Sequence, residues 1–297
     1  MVHERLEEVT DQIFLVRAET NGRFPYAHSF LIIADETVLI DTGCGITLLH
    51  ELNREFDISY IINSHTHPDH SAGNWIFHNC RIFVPQEAFS TSGDIDALSV
   101  RFVGDVLAPI WQQFARTEMG FQNCRPTHSY NNETIFRIGD LDLVTIHTPG
   151  HTQDHYCFYH KPKRILFSFD YDLTSFPWYG HNESSLEEFR QSIQYLKSLP
   201  SNVILSSHRD IITREIQSEW NNYIQRLDER NQRILDLLTS PKTIAELVDA
   251  APIYRKFPYQ EPLLRYWEGI MIQQHLKELE NNGQVYQIDE KFHQIKK

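Results

Sequence analysis

The 297-residue chain lacks any run of about 18 uncharged apolar residues, which excludes an ordinary membrane-spanning helix. Its first residues, MVHERLEEVTDQIF, have no apolar core of the kind that directs export, so a cytoplasmic location is expected. Cysteine is scarce. Cys44, Cys80, Cys124 and Cys157 stand far apart with no CxxC pair, which argues against a disulfide frame and fits reduced thiols. Positive charge is also short: 27 Lys and Arg against 40 Asp and Glu leave a net charge of −13. That balance disfavours RNA or any other polyanion as partner and favours a small-molecule substrate. Neither an internal repeat nor a low-complexity segment is present. The residue in excess is histidine, with 16 copies, so the question is whether they cluster.

Residues 11–18, 28–33, 37–41 and 58–62 read as short strands, followed by further strands at 81–84, 141–147, 164–169 and 203–206. A helical pattern at 186–199 lies between the last two, and strands alternating with helices predict a layered α/β domain. Val103, Val106, Leu107, Ile110, Trp111 and Phe114 recur at helical spacing within 95–114. That helix either packs on the core or is an insert that walls a site. Near residue 228 the chain changes character. From Asp228 onward it carries 10 Lys and Arg against 11 Asp and Glu, so nearly all the negative charge lies before it. An apolar stripe (Ile234, Leu235, Leu238), a capping box at Thr243–Glu246, a longer helix over 263–280 and a strand at 285–288 follow. The expected division is a catalytic domain over 1–225 and a small, mainly helical domain over 226–297.

Residues 65–70 read HTHPDH, directly after the 58–62 strand. His65 and His67, two apart in extended chain, point to one side and can reach one ion. Asp69 and His70, past the turn at Pro68, can reach a second position. His151, Asp170 and His208 each stand at or just beyond a strand end. The shared placement predicts that four strands deliver ligand-type side chains to the same end of one sheet, where α/β sites form. Imidazole and carboxylate donors without thiolate suit zinc first, with manganese and iron as alternatives. His155 carries no ligand role on this reading and is expected to be a core or supporting histidine, while His28 and His181 are either loop residues or substrate contacts. The aromatic stretch Tyr171–Tyr179 is either loop packing or a wall facing the substrate.

In combination, Asp41, HTHPDH, His151, Asp170 and His208 resemble the metallo-β-lactamase superfamily over roughly residues 10–212. The resemblance implies an αββα sandwich with the metals at one edge. It assigns His65, His67 and His151 to one ion and Asp69, His70 and His208 to a second. Asp170 would bridge the two, and Asp41 would support the loop. One departure is visible: the family often has glycine before the bridging aspartate, where this chain has Phe169, and Asp172 competes for the role. The tail, from RNQRILDLL to QQHLKELENNGQVY, resembles the winged-helix domain of one branch of that superfamily.

Two divalent ions bring four positive charges; Asp69, Asp170 and a bridging hydroxide return three. A site left with about one positive charge can supply hydroxide at neutral pH and stabilise a developing oxyanion, with Asp69 orienting the hydroxide. The expected function is metal-dependent hydrolysis of a small ester, thioester or lactone. The competing readings are an endoribonuclease or phosphodiesterase of the winged-helix branch, a one-metal iron-dependent sulfur dioxygenase, and a non-enzymatic metal-sensing regulator. A homodimer is compatible with all of them.

Overall fold

The computed structural model describes residues 2–295. Seven strands form the first sheet in chain order: β1 (Leu6–Glu8), β2 (Ile13–Val16), β3 (Ser29–Ile33), β4 (Thr37–Ile40), β5 (Ile58–Ile62), β6 (Arg81–Pro85) and β7 (His128–Tyr130). The first four are antiparallel neighbours, and β4 through β7 run parallel. Parallel pairs need crossovers. These are α1 (Ile46–Glu55) between β4 and β5, the short α2 (Pro68–Ser71) after β5, and α3 (Ile95–Glu118) between β6 and β7. The second sheet has the order β12-β11-β10-β9-β8, from β8 (Ile135–Ile138), β9 (Leu141–His147), β10 (Tyr156–His160), β11 (Ile165–Phe169) and β12 (Val203–Ser206). The helix α4 (Leu186–Ser198) crosses between β11 and β12, which are parallel.

Strand alternation distributes the apolar residues over three layers of core. Phe30, Ile32, Ile40 and Ile62 of the first sheet meet Leu143, Phe158, Phe167 and Leu205 of the second. Their alternates Leu31, Leu39 and Ile61 face outward and are covered by Leu48, Leu49 and Leu52 of α1. On the far side, Tyr159, Leu166 and Ile204 are covered by Leu186, Phe189 and Ile193 of α4. Because each central strand is buried on both faces, the sequence there is a continuous apolar run. The result is the expected α/β/β/α layering.

The tail begins in α5 (Ile216–Leu237) and continues through α6 (Ile244–Ala250), α7 (Glu261–Asn281) and a hairpin of β13 (Val285–Ile288) and β14 (Lys291–Gln294). The order of elements is the one read from sequence. The expected division at 225/226 falls inside α5, which runs through it unbroken. Trp220, Tyr223, Leu227 and Ile234 along that helix share one core with α4 and with Met271, Ile272 and Leu276 of α7. Leu263, Leu264 and Trp267 of α7 also pack on Phe102, Trp111 and Phe114 of α3, tying the tail to the first-sheet side.

The expectation of ligands at one end of a single sheet is corrected. Asp41 and the histidine motif follow β4 and β5 of the first sheet, whereas His151, Asp170 and His208 follow β9, β11 and β12 of the second. Within each sheet the ligand-bearing strands run the same way, so the two sets meet across the open edge between sheets. Their approach demands glycine at one point. A Cβ on Gly43 would stand 1.5 Å from the Asp69 carbonyl oxygen. Gly43→Ala is therefore expected to lower unfolding free energy by about 2–4 kcal/mol and to weaken metal retention, because the clash is with backbone that cannot rotate away. Urea denaturation with wild-type midpoint would contradict this.

Candidate metal centre and active-site cleft

His65 lies in a bend just beyond β5 and His67 caps α2, which begins with Pro68 at its first position and turns Asp69 and His70 back toward them. Hydrogen bonds fix this loop from several sides. Asp41 accepts from the Ser64 amide (2.7 Å) and hydroxyl (2.8 Å) and from His70 Nδ1–H (2.8 Å). Asn63 donates to the His70 carbonyl at 3.0 Å, and Tyr130 donates to the Asn63 carbonyl at 2.7 Å.

A further support was not visible in the sequence. Asp154 accepts from both the amide (3.0 Å) and the hydroxyl (2.6 Å) of Thr66, the residue between the two leading histidines. Arg101 of α3 holds Asp154 at 2.7 Å and Glu183 at 2.6 Å, and its Nη1 donates to Thr66 Oγ1 at 3.0 Å. Asp154 is fully buried, and the guanidinium beside it outweighs burial and keeps its carboxyl below the usual range. The only sequence signal was an aspartate inside GHTQDH, which nothing linked to an arginine 53 positions earlier.

The donor atoms form two groups. One joins His65, His67, His151 and Asp170, the other Asp69, His70, Asp170 and His208; in each, the ligand atoms lie within 4.8 Å of one another. The first is tight: His67 Nδ1 is 3.0 Å from His65 Nε2 and 2.9 Å from His151 Nε2, and His151 Nε2 is 3.2 Å from Asp170 Oδ2. In the second, Asp170 Oδ1 is 2.9 Å from His70 Nε2 and 3.5 Å from His208 Nε2, which is 3.7 Å from Asp69 Oδ2. Asp170 thus turns one oxygen to each group. Asp172, the competitor, belongs to neither and instead accepts from the amide (3.0 Å) and hydroxyl (3.2 Å) of Thr174.

The outer ring nitrogens decide what these atoms can do. His65 Nδ1–H faces Ser64 Oγ (3.0 Å), whose own proton goes to Asp41. His151 Nδ1–H donates to the Trp178 carbonyl (2.8 Å) and His208 Nδ1–H to the Gly22 carbonyl (2.7 Å). His67 Nε2 faces His181 Nδ1 at 2.8 Å. With the outer nitrogen carrying the proton, an inner nitrogen that is deprotonated turns its lone pair to the centre of the group, the form that holds a cation. His70 Nε2 and Asp170 Oδ1 stand 2.9 Å apart, so a proton or a cation between them is what makes the contact favourable. Donors around a tetrahedral zinc, at bonds of about 2.0–2.1 Å, stand roughly 3.3 Å apart. The residues therefore fit cations on charge, protonation and spacing.

A family model described as the metallo-beta-lactamase superfamily matches residues 22–85 and 96–208. The chain belongs to this superfamily. An acyl-coenzyme A thioesterase of Homo sapiens is 27% identical over 172 residues, 51% of this chain and 61% of that protein. An atrochrysone carboxyl ACP thioesterase of Emericella nidulans is 21% identical over 242 residues, 78% of this chain and 66% of that one. A probable hydroxyacylglutathione hydrolase of Schizosaccharomyces pombe is 24% identical over 196 residues, covering 63% and 64%. The chain spans less than two thirds of the length of the first curated relatives it matches, 66% and 61%. A superfamily protein of Thermus thermophilus superposes with a TM-score of 0.73 at 20% identity, over 97% of this chain and all of that one, which shows the shared fold.

The superfamily's frequent glycine before the bridging aspartate has a physical reading here. Phe169 occupies the left-handed region, φ 49°, where a side chain costs about 1–2 kcal/mol. Its ring is fully buried against Phe30 and Phe158, which offsets that strain. His155, unassigned by sequence, supports the same corner: its Nδ1 meets Thr148 Oγ1 at 2.9 Å, and its Nε2 accepts from the Asp170 amide at 3.4 Å. His28 lies behind the His208 loop, its Nδ1 accepting from the Ala18 amide. His181 lines the cleft beside His67.

That cleft, about 380 Å³, opens on the donors His67, Asp69, His151, Asp170 and His208. Trp111 and Phe114 of α3 form one wall, which decides between the two readings of the 95–114 helix: it does both, packing on the core and lining the site. Phe176 and Trp178 show that the aromatic stretch faces the cleft too. Tyr254, Leu264 and Trp267 bring the tail into the lining of the cleft.

Asp154→Asn should weaken zinc retention about 10–100-fold, as loss of a group supporting the ligands typically does, with only a modest loss of helicity; unchanged zinc affinity by competition with a chelator would refute the Arg101–Asp154–Thr66 link. A second expectation concerns acid. Burial lowers His28 to about 4 and holds His65, His67, His155, His181 and His275 well below their ordinary value, while facing carboxylates outweigh burial and raise His70 and His208. The unfolded chain protonates the lowered histidines near pH 6.5 and the folded one does not, so stability falls as pH drops below 6.5. Each contributes up to about 1.4 kcal/mol per pH unit. The urea midpoint of metal-free protein should fall from pH 7 to pH 5; a rise would contradict the assignment.

Proposed function

We propose that this superfamily hydrolase cleaves thioesters whose acyl part is largely apolar, giving a carboxylic acid and a thiol. His65, His67 and His151 would hold one divalent ion, Asp69, His70 and His208 a second, and Asp170 would serve both; zinc suits the donors first, then manganese or iron. When bound, such ions polarise the scissile carbonyl and make water nucleophilic at neutral pH. The observation that carries the reading is the cleft itself: its floor is the donor set, and its walls are Trp111, Phe114, Phe176, Trp178, Leu264 and Trp267. The human and fungal thioesterases among the relatives support it.

The chain's own residues do the following. The aromatic walls exclude water and hold the acyl group by its apolar surface. Asp69, buried at the floor, accepts a hydrogen bond from the attacking water and orients it. Asp41, Asp154 and Arg101 keep the ligand loop in place before substrate arrives.

The second donor group supports two ions over the single iron of a sulfur dioxygenase. We read α5 to the hairpin as a winged-helix-like module following a catalytic unit, here used as a wall of the cleft. Its seating over the site, and the acidic balance of the chain, speak against an RNA-cleaving or regulatory role. Among the described residues no helix is long and apolar enough to cross a membrane.

The test is a panel of acetyl-, octanoyl- and lauroyl-coenzyme A with a lactone, a β-lactam and a phosphodiester, on zinc-loaded protein. Thioesters should be cleaved, with kcat/KM rising at least about tenfold from acetyl to octanoyl as methylenes are buried. Cleavage of the phosphodiester or lactone but no thioester would overturn the proposal.

A further inference from the structure

Two of the three histidines in the first donor group are held from outside by one short segment. The Trp178 carbonyl accepts His151 Nδ1–H at 2.8 Å, Ser184 Oγ donates to the His151 carbonyl at 2.7 Å, and His181 Nδ1 meets His67 Nε2 at 2.8 Å. Residues 178–184 belong to no helix or strand, so their position has to be fixed by what packs on them.

The tail fixes it. The peptide unit that carries the Trp178 carbonyl is gripped on both sides. Trp178 Nε1–H donates to the Tyr254 hydroxyl at 2.7 Å. The fully buried Tyr179 hydroxyl accepts from Arg230 Nη1 at 2.9 Å and meets His275 Nε2 at 2.6 Å. Arginine can only donate, so the Tyr179 proton goes to His275, whose own proton then sits on Nδ1 and goes to Asn231 Oδ1 at 2.7 Å. Arg230 and Asn231 belong to α5 and His275 to α7. Farther along, the Gln274 side chain of α7 donates to the Ser184 carbonyl at 3.0 Å and accepts from the Leu186 amide at 3.4 Å. Trp267 closes on the same segment: a Cβ on Gly180 would stand 3.0 Å from the Trp267 Cβ.

The second donor group has no such tie. The outer nitrogens of His70 and His208 end on Asp41 and on the Gly22 carbonyl, and neither of those residues hydrogen-bonds to the tail among the described residues. Tyr223 of α5 donates to the Asp170 carbonyl at 3.3 Å, but Asp170 faces both groups. We infer that the tail is the scaffold of the first donor group: Arg230, His275 and Gln274 are positioning residues that, through residues 178–184, set how tightly His67 and His151 hold their ion. This rests on the two-ion reading above. A carbonyl free to turn away leaves His151 without the bond that fixes its ring and its tautomer, and losing such support typically weakens metal binding about 10–100-fold.

The test uses the full chain, as wild type, Tyr179→Phe, Gln274→Ala and, as control, Lys277→Ala, an exposed change on α7. Zinc is titrated against a competing chelator, and the two binding steps are assigned with His151→Ala and His208→Ala. Tyr179→Phe and Gln274→Ala should each weaken the first-group step at least about tenfold and leave the second within about twofold, whereas Lys277→Ala leaves both unchanged. General loosening of the fold would weaken both steps alike, so the ratio of the two constants isolates the tie. Should Tyr179→Phe not fold, Gln274→Ala carries the same test. In metal-free protein, exchange of the His151 Nδ1 proton with water, followed by NMR on 15N-histidine-labelled samples, should quicken at least about fivefold in both variants, with the His208 Nδ1 proton unaffected. With two ions bound, a ratio that does not move overturns the inference, and so does unchanged His151 exchange. If wild type binds a single ion, the two-ion reading falls, and the His151 exchange alone decides whether the tail holds the first group.

Discussion

Nitrogen and carboxylate donors crowded around two points are what the rest of this structure is arranged to hold. Five imidazoles have their outer nitrogens committed to Ser64, Asp41, Trp178, Gly22 and His181, and their inner nitrogens turned on one another and on two carboxylates. Left to itself, such a cluster is repulsive and costly to bury. Protons or cations at its centre relieve that cost. The fold therefore has to hold it together against its own electrostatics, and the density of hydrogen bonds around residues 63–70 reflects that need.

The two-sheet architecture supplies the geometry. The first sheet contributes four of the seven donors beyond the end of β5, the second contributes three beyond β9, β11 and β12, and Asp170, at the end of β11, faces the two groups with separate oxygens. Local compromises concentrate here. Phe169 and Asp41 both adopt left-handed backbone, and Gly43 lets the α2 loop press against the chain leaving β4. Around this floor, α3, the 171–179 segment and α7 build a cleft with apolar walls, so three stretches distant in sequence define what can approach the donor set.

Much of this was legible in the residues. The strands at 58–62, 141–147 and 203–206 stand where the apolar runs put them, because a strand buried on both faces cannot hide its composition. The seven ligand-type residues stood out because they sit in the loops that follow such runs, and the structure brings all seven into the two groups. Strands β1, β7, β8 and β10 and helix α1 were not identified. β8 alternates exposed and buried positions over only four residues, and β1 is three residues long, too short for a pattern to stand out. The two-sheet division was not legible either, since periodicity says which residues are buried but not which strands are neighbours. Nor was the Arg101–Asp154 pair, because an ion pair across 53 residues leaves no local trace. The role of the tail as a cleft wall depends on how α7 packs on α3, a tertiary fact with no spacing signature.

The central claim is that two cations share Asp170. Anomalous scattering from crystals of zinc-loaded protein tests it most directly. Two peaks per chain are expected, one ringed by His65, His67 and His151, the other by Asp69, His70 and His208, with the Asp170 carboxylate between them. A single peak, or two peaks with Asp172 rather than Asp170 between them, would contradict it.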